Sequence, residues 1–207
     1  VSSSGFVSFR FTPRDATSGI ANTTVWVRNS TGVIVNSSSN TSVVTNGSEV
    51  EVGLVLNGPG ANALYNWTVQ SCDFANNCVN VSNAAFTLDS VSPGYFVSVS
   101  PVNNSNQSAS FVNVSFVPGD ALSGVANSTV FVFNSSGVIV NTSSNGSVVN
   151  GTLVVNGFTL GEGRFNFTYQ LCDWANNCAN FSGVSSTVDS SIPLASTLSF
   201  PANGSNV

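Results

Sequence analysis

The chain contains no lysine, no histidine and no methionine. Its only cations are Arg10, Arg14, Arg28 and Arg164, and charged residues of both signs make up just 6% of the sequence, against roughly a quarter in an average domain. Each scarcity excludes something. With a net charge of -5 and no basic cluster, the chain offers nothing for a nucleic-acid backbone to bind. The same deficit argues against a polybasic contact with a membrane. With no His or Lys to act as a base, a serine nucleophile has no triad to join. The apolar runs are only a few residues long, so no segment reads as a transmembrane helix. There is no initiator Met and no leader pattern, so the chain reads as a mature or excerpted piece. We expect neither enzymatic activity nor a cofactor.

What is present is Ser, Thr, Asn and Gly around a 42% hydrophobic fraction, enough for a core. The order of these residues is repetitive. DATSGIANTTVWVRNSTGVIVNSSSN (15–40) returns as DALSGVANSTVFVFNSSGVIVNTSSN (120–145), and ALYNWTVQSCDFANNCVNVS (63–82) as GRFNFTYQLCDWANNCANFS (163–182). The linkers LDSVSP (88–93) and VDSSIP (188–193) match as well. SFPANGSN (199–206) repeats VSPVNNSN (99–106), so the sequence opens a third copy. The first copy has no counterpart of 95–105. The chain is therefore out of phase with its own unit. We read 1–88 as a first domain without its own first strand, 89–94 as a linker, 95–188 as a second domain, 189–194 as a linker, and 195–207 as the first strand of a following domain.

Within a copy, apolar and polar residues alternate. Val112, Val114 and Phe116 fall on one face of 111–116, and Tyr65, Trp67 and Val69 on one face of 65–70, the pattern of half-buried strands. NSTG (29–32) and NSSG (134–137) separate paired apolar runs and signal hairpins. Strands are predicted near 95–100, 111–117, 128–133, 138–141, 147–149, 153–160, 165–171 and 178–188. Seven or eight short strands per unit predict an all-β immunoglobulin-like sandwich, twice.

Cys72 and Cys78 bracket DFANN, and Cys172 and Cys178 bracket DWANN. Each pair closes a tight turn, and a disulfide over so short a loop stabilises by about 2 kcal/mol in the chain-entropy description. Two thiols and no imidazole per unit fall short of the four ligands of structural zinc. Disulfides imply an oxidising, extracellular setting.

Eighteen of the 28 asparagines begin N-x-[ST]: Asn22, Asn29, Asn36, Asn40, Asn46, Asn66, Asn80, Asn103, Asn106, Asn113, Asn127, Asn134, Asn141, Asn145, Asn150, Asn166, Asn180 and Asn203. With 52 Ser and Thr in 207 residues, chance would give about 7. On a strand, residues i and i+2 share a face. Asn66-Trp67-Thr68 and Asn166-Phe167-Thr168 thus turn the sequon outward and the aromatic inward. We expect N-linked glycans at these sites. An unmodified surface rich in Ser, Thr and Asn is the alternative.

Asp15 with Asp73, and Asp120 with Asp173, repeat at the two main turns. We expect no metal. These four are the weak candidates for calcium, with Asn77 or Asn177 as further oxygen ligands. The competing reading has each Asp accepting backbone N–H groups in its own turn, as Asp89 and Asp189 are expected to do in the linkers.

The set D-A-x-S-G-[IV]-A-N, [YF]-N-[WF]-T, C-D-x-A-N-N-C and D-S-x-x-P resembles the tandem immunoglobulin-like repeats of archaeal cell-surface proteins, as does PANGSN (201–206). Asn76 and Asn176 stand where those repeats usually have Gly. The resemblance implies beads on a surface stalk, fibre or adhesin, and its strand logic is similar to that of donor-strand archaeal pili. The expectation is a glycosylated extracellular filament polymerised head to tail. Ser196, Leu198 and Phe200 would be the donor, and Phe6, Val7, Phe9 and Phe11 the acceptor strand. Flanking repeats of one longer chain are the alternative neighbours. A sugar-binding module would need an aromatic cluster unique to one copy. Trp26 and Trp174 are answered by Phe131 and Phe74 instead.

Overall fold

A computed structural model describes residues 5–42, 44–56 and 62–197. Among them every regular element is a β-strand, as the alternation predicts. The first unit comprises β1 (Phe6–Phe11), β2 (Ile20–Asn29), β3 (Ile34–Asn40), β4 (Val50–Val55), β5 (Ala63–Asp73) and β6 (Cys78–Leu88). The second comprises β7 (Tyr95–Ser100), β8 (Ser105–Gln107), β9 (Phe111–Gly119), β10 (Val125–Asn134), β11 (Ile139–Asn145), β12 (Val154–Thr159), β13 (Gly163–Asp173) and β14 (Cys178–Val188). The fold is two tandem immunoglobulin-like β-sandwiches.

In the second unit a sheet of order β12-β9-β7 faces one of order β11-β10-β13-β14-β8. In the first, β1-β4 faces β3-β2-β5-β6. The repeat offsets map β9 onto β1 and β14 onto β6. Among the described residues the first unit thus has a counterpart of every strand of the second except β7 and β8.

The second core is built from fully buried inward positions of facing strands: Val112, Val114 and Phe116 on β9, Val130 and Val132 on β10, and Phe167, Tyr169 and Leu171 on β13. Phe96 of β7 closes it. Its ring centroid lies 4.5 Å from Tyr169, 5.1 Å from Phe181 and 5.6 Å from Phe116. The first core gathers Phe9, Val25, Val27, Leu54, Tyr65 and Val69. Its aromatics lie elsewhere along the same groove: Phe9 is 5.1 Å from Trp67 and 5.6 Å from Phe86. On the outer faces, Phe6 lies over Gly53 and Phe111 over Gly157, so a Cβ at either glycine would push the exposed ring aside. The side-chain-free strand position is thereby covered by a cross-strand aromatic.

Two details differ from expectation, and a third lies largely outside the described residues. Residues 147–149 form no strand; Val148 makes a single backbone bond to Ala126 O. β8 was not predicted. It is three polar residues, and it pairs parallel to β14, Ser105 opposite Ser186. The expected strand 195–207 shows no regular structure at 195–197, Ser196 is exposed, and Leu198, Phe200 and Asn203 lie outside the described residues.

Because Phe116 is completely buried in the second core, Phe116→Ala should lower stability by about 3–5 kcal/mol in denaturant unfolding, the usual cost of such a core truncation.

Candidate functional site: an open sheet edge and the carboxylates of the domain junction

β9 is paired on both edges, with β12 on one side and β7 on the other. Its counterpart β1 is paired with β4 alone among the described residues. The burial of β1 alternates: Val7, Phe9 and Phe11 turn toward the opposing sheet, with Phe9 only 3% exposed. Phe6 stands on the other face, where its ring lies over Gly53.

Beside the free edge lie two cavities. One, of about 260 Å³, is lined by Phe11, Thr12, Pro13, Trp67, Val69, Ser71, Val81 and Ala84. In the second unit, Phe116, Tyr169 and Phe181 stand where Phe11, Val69 and Val81 stand here, and Phe96 packs on all three. This cavity is therefore the place that Phe96 fills next door. The other, of about 510 Å³, is lined by β1 from Phe6 to Arg10, by Trp67 and by Phe86–Leu88. The matching space in the second unit is covered by the chain running from β7 through Ser100 and Pro101 into β8. The charged rim is thin: Arg10 pairs with Glu51 at 3.2 Å and Glu49 at 3.7 Å, all exposed.

Cys72–Cys78 and Cys172–Cys178 are disulfides across directly paired residues of β5–β6 and β13–β14, with Cα atoms 4.1 Å apart. Asn76 and Asn176 adopt φ of 62° and 64°. Asn tolerates this left-handed conformation, which explains how it can stand in place of Gly.

The carboxylates behave mainly as turn acceptors. Asp15 Oδ2 accepts from the N–H groups of Thr17, Ser18 and Gly19 at 2.6–2.8 Å. Asp73 accepts from the backbone and side-chain N–H of Asn77 at 2.8 and 2.9 Å, and Asp173 likewise from Asn177 at 2.9 and 2.8 Å. Asn77 and Asn177 thus turn their amide nitrogens toward the acids. Sequon residues Asn46 and Asn150 clasp the loops. Each accepts from, and donates back to, the backbone of Asp15 or Asp120 at 2.6–2.9 Å.

Asp89 fills the turn role expected of it and a second role besides. It accepts Val91 N–H in its own turn, but also Ser123 N–H at 3.0 Å, and its carbonyl accepts the Asn177 side chain at 2.9 Å. Its carboxylate comes within 4.8 Å of those of Asp120 and Asp173, with Asp89 and Asp173 fully buried. The cluster pins the linker to the second unit. Linker length alone, without long-range pairing information, could not have revealed it.

No protein-family model matches this chain. No curated protein matches it either. Among solved structures, the fibronectin(III)-like modules of Clostridium thermocellum CbhA are similar at a TM-score of 0.43 and 11% identity, over 95% of this chain and 92% of that one.

Backbone N–H groups at Asp15, the Asn77 side chain at Asp73 and the Ser191 hydroxyl at Asp189 hold these three carboxyls below their ordinary range. A depressed folded-state pKa gives stability that is present at neutral pH and lost as pH falls through it. The melting temperature should therefore be level from about pH 5 to 8 and fall below about pH 4. Asp73→Asn should melt lower at pH 7 and lose part of the acid-side slope.

Proposed function

We propose that this chain is a non-catalytic structural subunit of an extracellular, N-glycosylated filament. Its first domain is completed by a strand of the 195–207 type from a neighbouring copy. The observation that carries this reading is the free edge of β1 beside two cavities, at the place where β7 and its sequel complete the second unit. A sheet edge flanked by unfilled apolar sockets is a template for strand addition. A contact from the end of one copy to the start of the next is head to tail and does not close, so it extends into a fibre.

Composition supports the same reading. The acids serve turns and the linker, and the two disulfides suit an oxidising compartment. The sequon density supplies the solubility that a 6% charged surface does not. Strand faces agree: Phe167 is 1% exposed, while Asn166 beside it is exposed. The archaeal cell-surface setting implied by the repeat motifs belongs to this proposal too.

A second reading is favoured by the repeat itself. The spacing from unit to unit would continue smoothly if the same strand arrived from a preceding repeat of a longer tandem surface protein. The groove and its occupant are the same in both.

The purified 207-residue chain should form head-to-tail oligomers whose mean length grows with concentration. Chains that stay monomeric at high concentration, with β1 still unpaired, would defeat the proposal. Native material, reduced and deglycosylated, should run near 21.3 kDa. A far larger polypeptide would favour the tandem reading. Before deglycosylation the mass should exceed that value, with glycans on peptides containing Asn66 and Asn166.

A further inference from the structure

We infer that the groove of the first domain is shaped to choose the 195–207 segment and to reject the otherwise similar 95–107 segment, with Leu198 and Phe200 as the selecting side chains. This rests on the strand-addition reading above and adds the identity and register of the strand.

The second unit supplies the register. Phe96 stands opposite Pro118, Ser98 opposite Phe116 and Ser100 opposite Ser115. The repeat offsets carry these to Pro13, Phe11 and Arg10 on β1. The sequence match at offset 100 puts Ser196, Leu198 and Phe200 at the positions of Phe96, Ser98 and Ser100. Bulk on the strand has moved along it by two to four residues, from Phe96 to Leu198 and Phe200.

Bulk in the groove has moved the same way. Near Phe116 the second unit has Tyr169 and Phe181, and the first has Val69 and Val81. There a small residue on the strand, Ser98, suffices against Tyr169, whereas Leu198 would meet the smaller Val69. Farther along, the second unit has Val114, Phe167 and Ser186, the last tied to Ser105 by hydroxyl contacts at 3.1 and 3.2 Å. The first has Phe9, Trp67 and Phe86, whose rings line the larger cavity. Ser100 would leave that cavity empty; a phenyl ring at position 200 fills it. The 95–107 strand would bring the Phe96 ring to the smaller socket and two hydroxyls, Ser98 and Ser100, to the rest. Complementary changes on both partners are what specificity between near-identical repeats requires.

The test is competition. The full chain is refolded with a 50-fold excess of synthetic 195–207 or 95–107 peptide, and oligomer length is read by sedimentation velocity. The 195–207 peptide should cap chains and reduce oligomers to single copies. The 95–107 peptide should need at least about 30-fold more for the same effect, the scale of one lost large apolar contact. A 195–207 peptide carrying Phe200→Ser should behave like the 95–107 peptide. Equal potency of all three would overturn the selection while leaving strand addition standing. Failure of every peptide to bind or to shorten the oligomers would overturn strand addition itself, and this inference with it.

Discussion

The structure depends on covering one aromatic layer. A sandwich must bury the inner face of both sheets, and in the second unit Phe96 sits on Tyr169, Phe181 and Phe116 to do so. Ring stacking and burial of this kind dominate the energetics of so small a core. The first unit has the same two sheets without that covering strand among the described residues, and its groove shows the consequence as two cavities beside a free edge. The functional proposal follows from that asymmetry between copies of one design.

With almost no charge to spend, the chain places its few carboxylates where turns need acceptors. Asp15, Asp73, Asp120 and Asp173 each gather N–H groups from the next few residues. Asp89 goes further and ties the linker to both loops of the following unit. Repeating that arrangement along a fibre would give each bead a defined seat on the next. The disulfides fasten the β5–β6 and β13–β14 turns, and in the second unit the end that receives the linker is also the end that carries the disulfide.

Much of this was legible in the sequence because it is written in period-two alternation and in repetition. The sandwich class, the hairpins at 29–32 and 134–137 and the cysteine pairs all came from those signals. β8 was not legible: three polar residues in parallel pairing carry neither alternation nor turn chemistry. Asp89 looked like a turn residue and is one; its second role depends on Ser123 and Asn177, 34 and 88 residues away. Asn46 and Asn150 read as glycan acceptors, and their service as loop clasps became visible only with the loops in place. Phe6 lies over Gly53 and also lines the larger cavity beside the edge, a double position that alternation alone does not disclose.

Whether a strand lies against the outer edge of β1 decides between a complemented and an incomplete first domain. Amide hydrogen exchange on native assembled material measures it directly. Complementation predicts that the edge-facing amides of Phe6–Phe11 are protected as strongly as those of β9 between its two neighbours. Fast exchange at those amides, beside slow exchange at the ones bonded to β4, would show an uncovered edge and contradict the account.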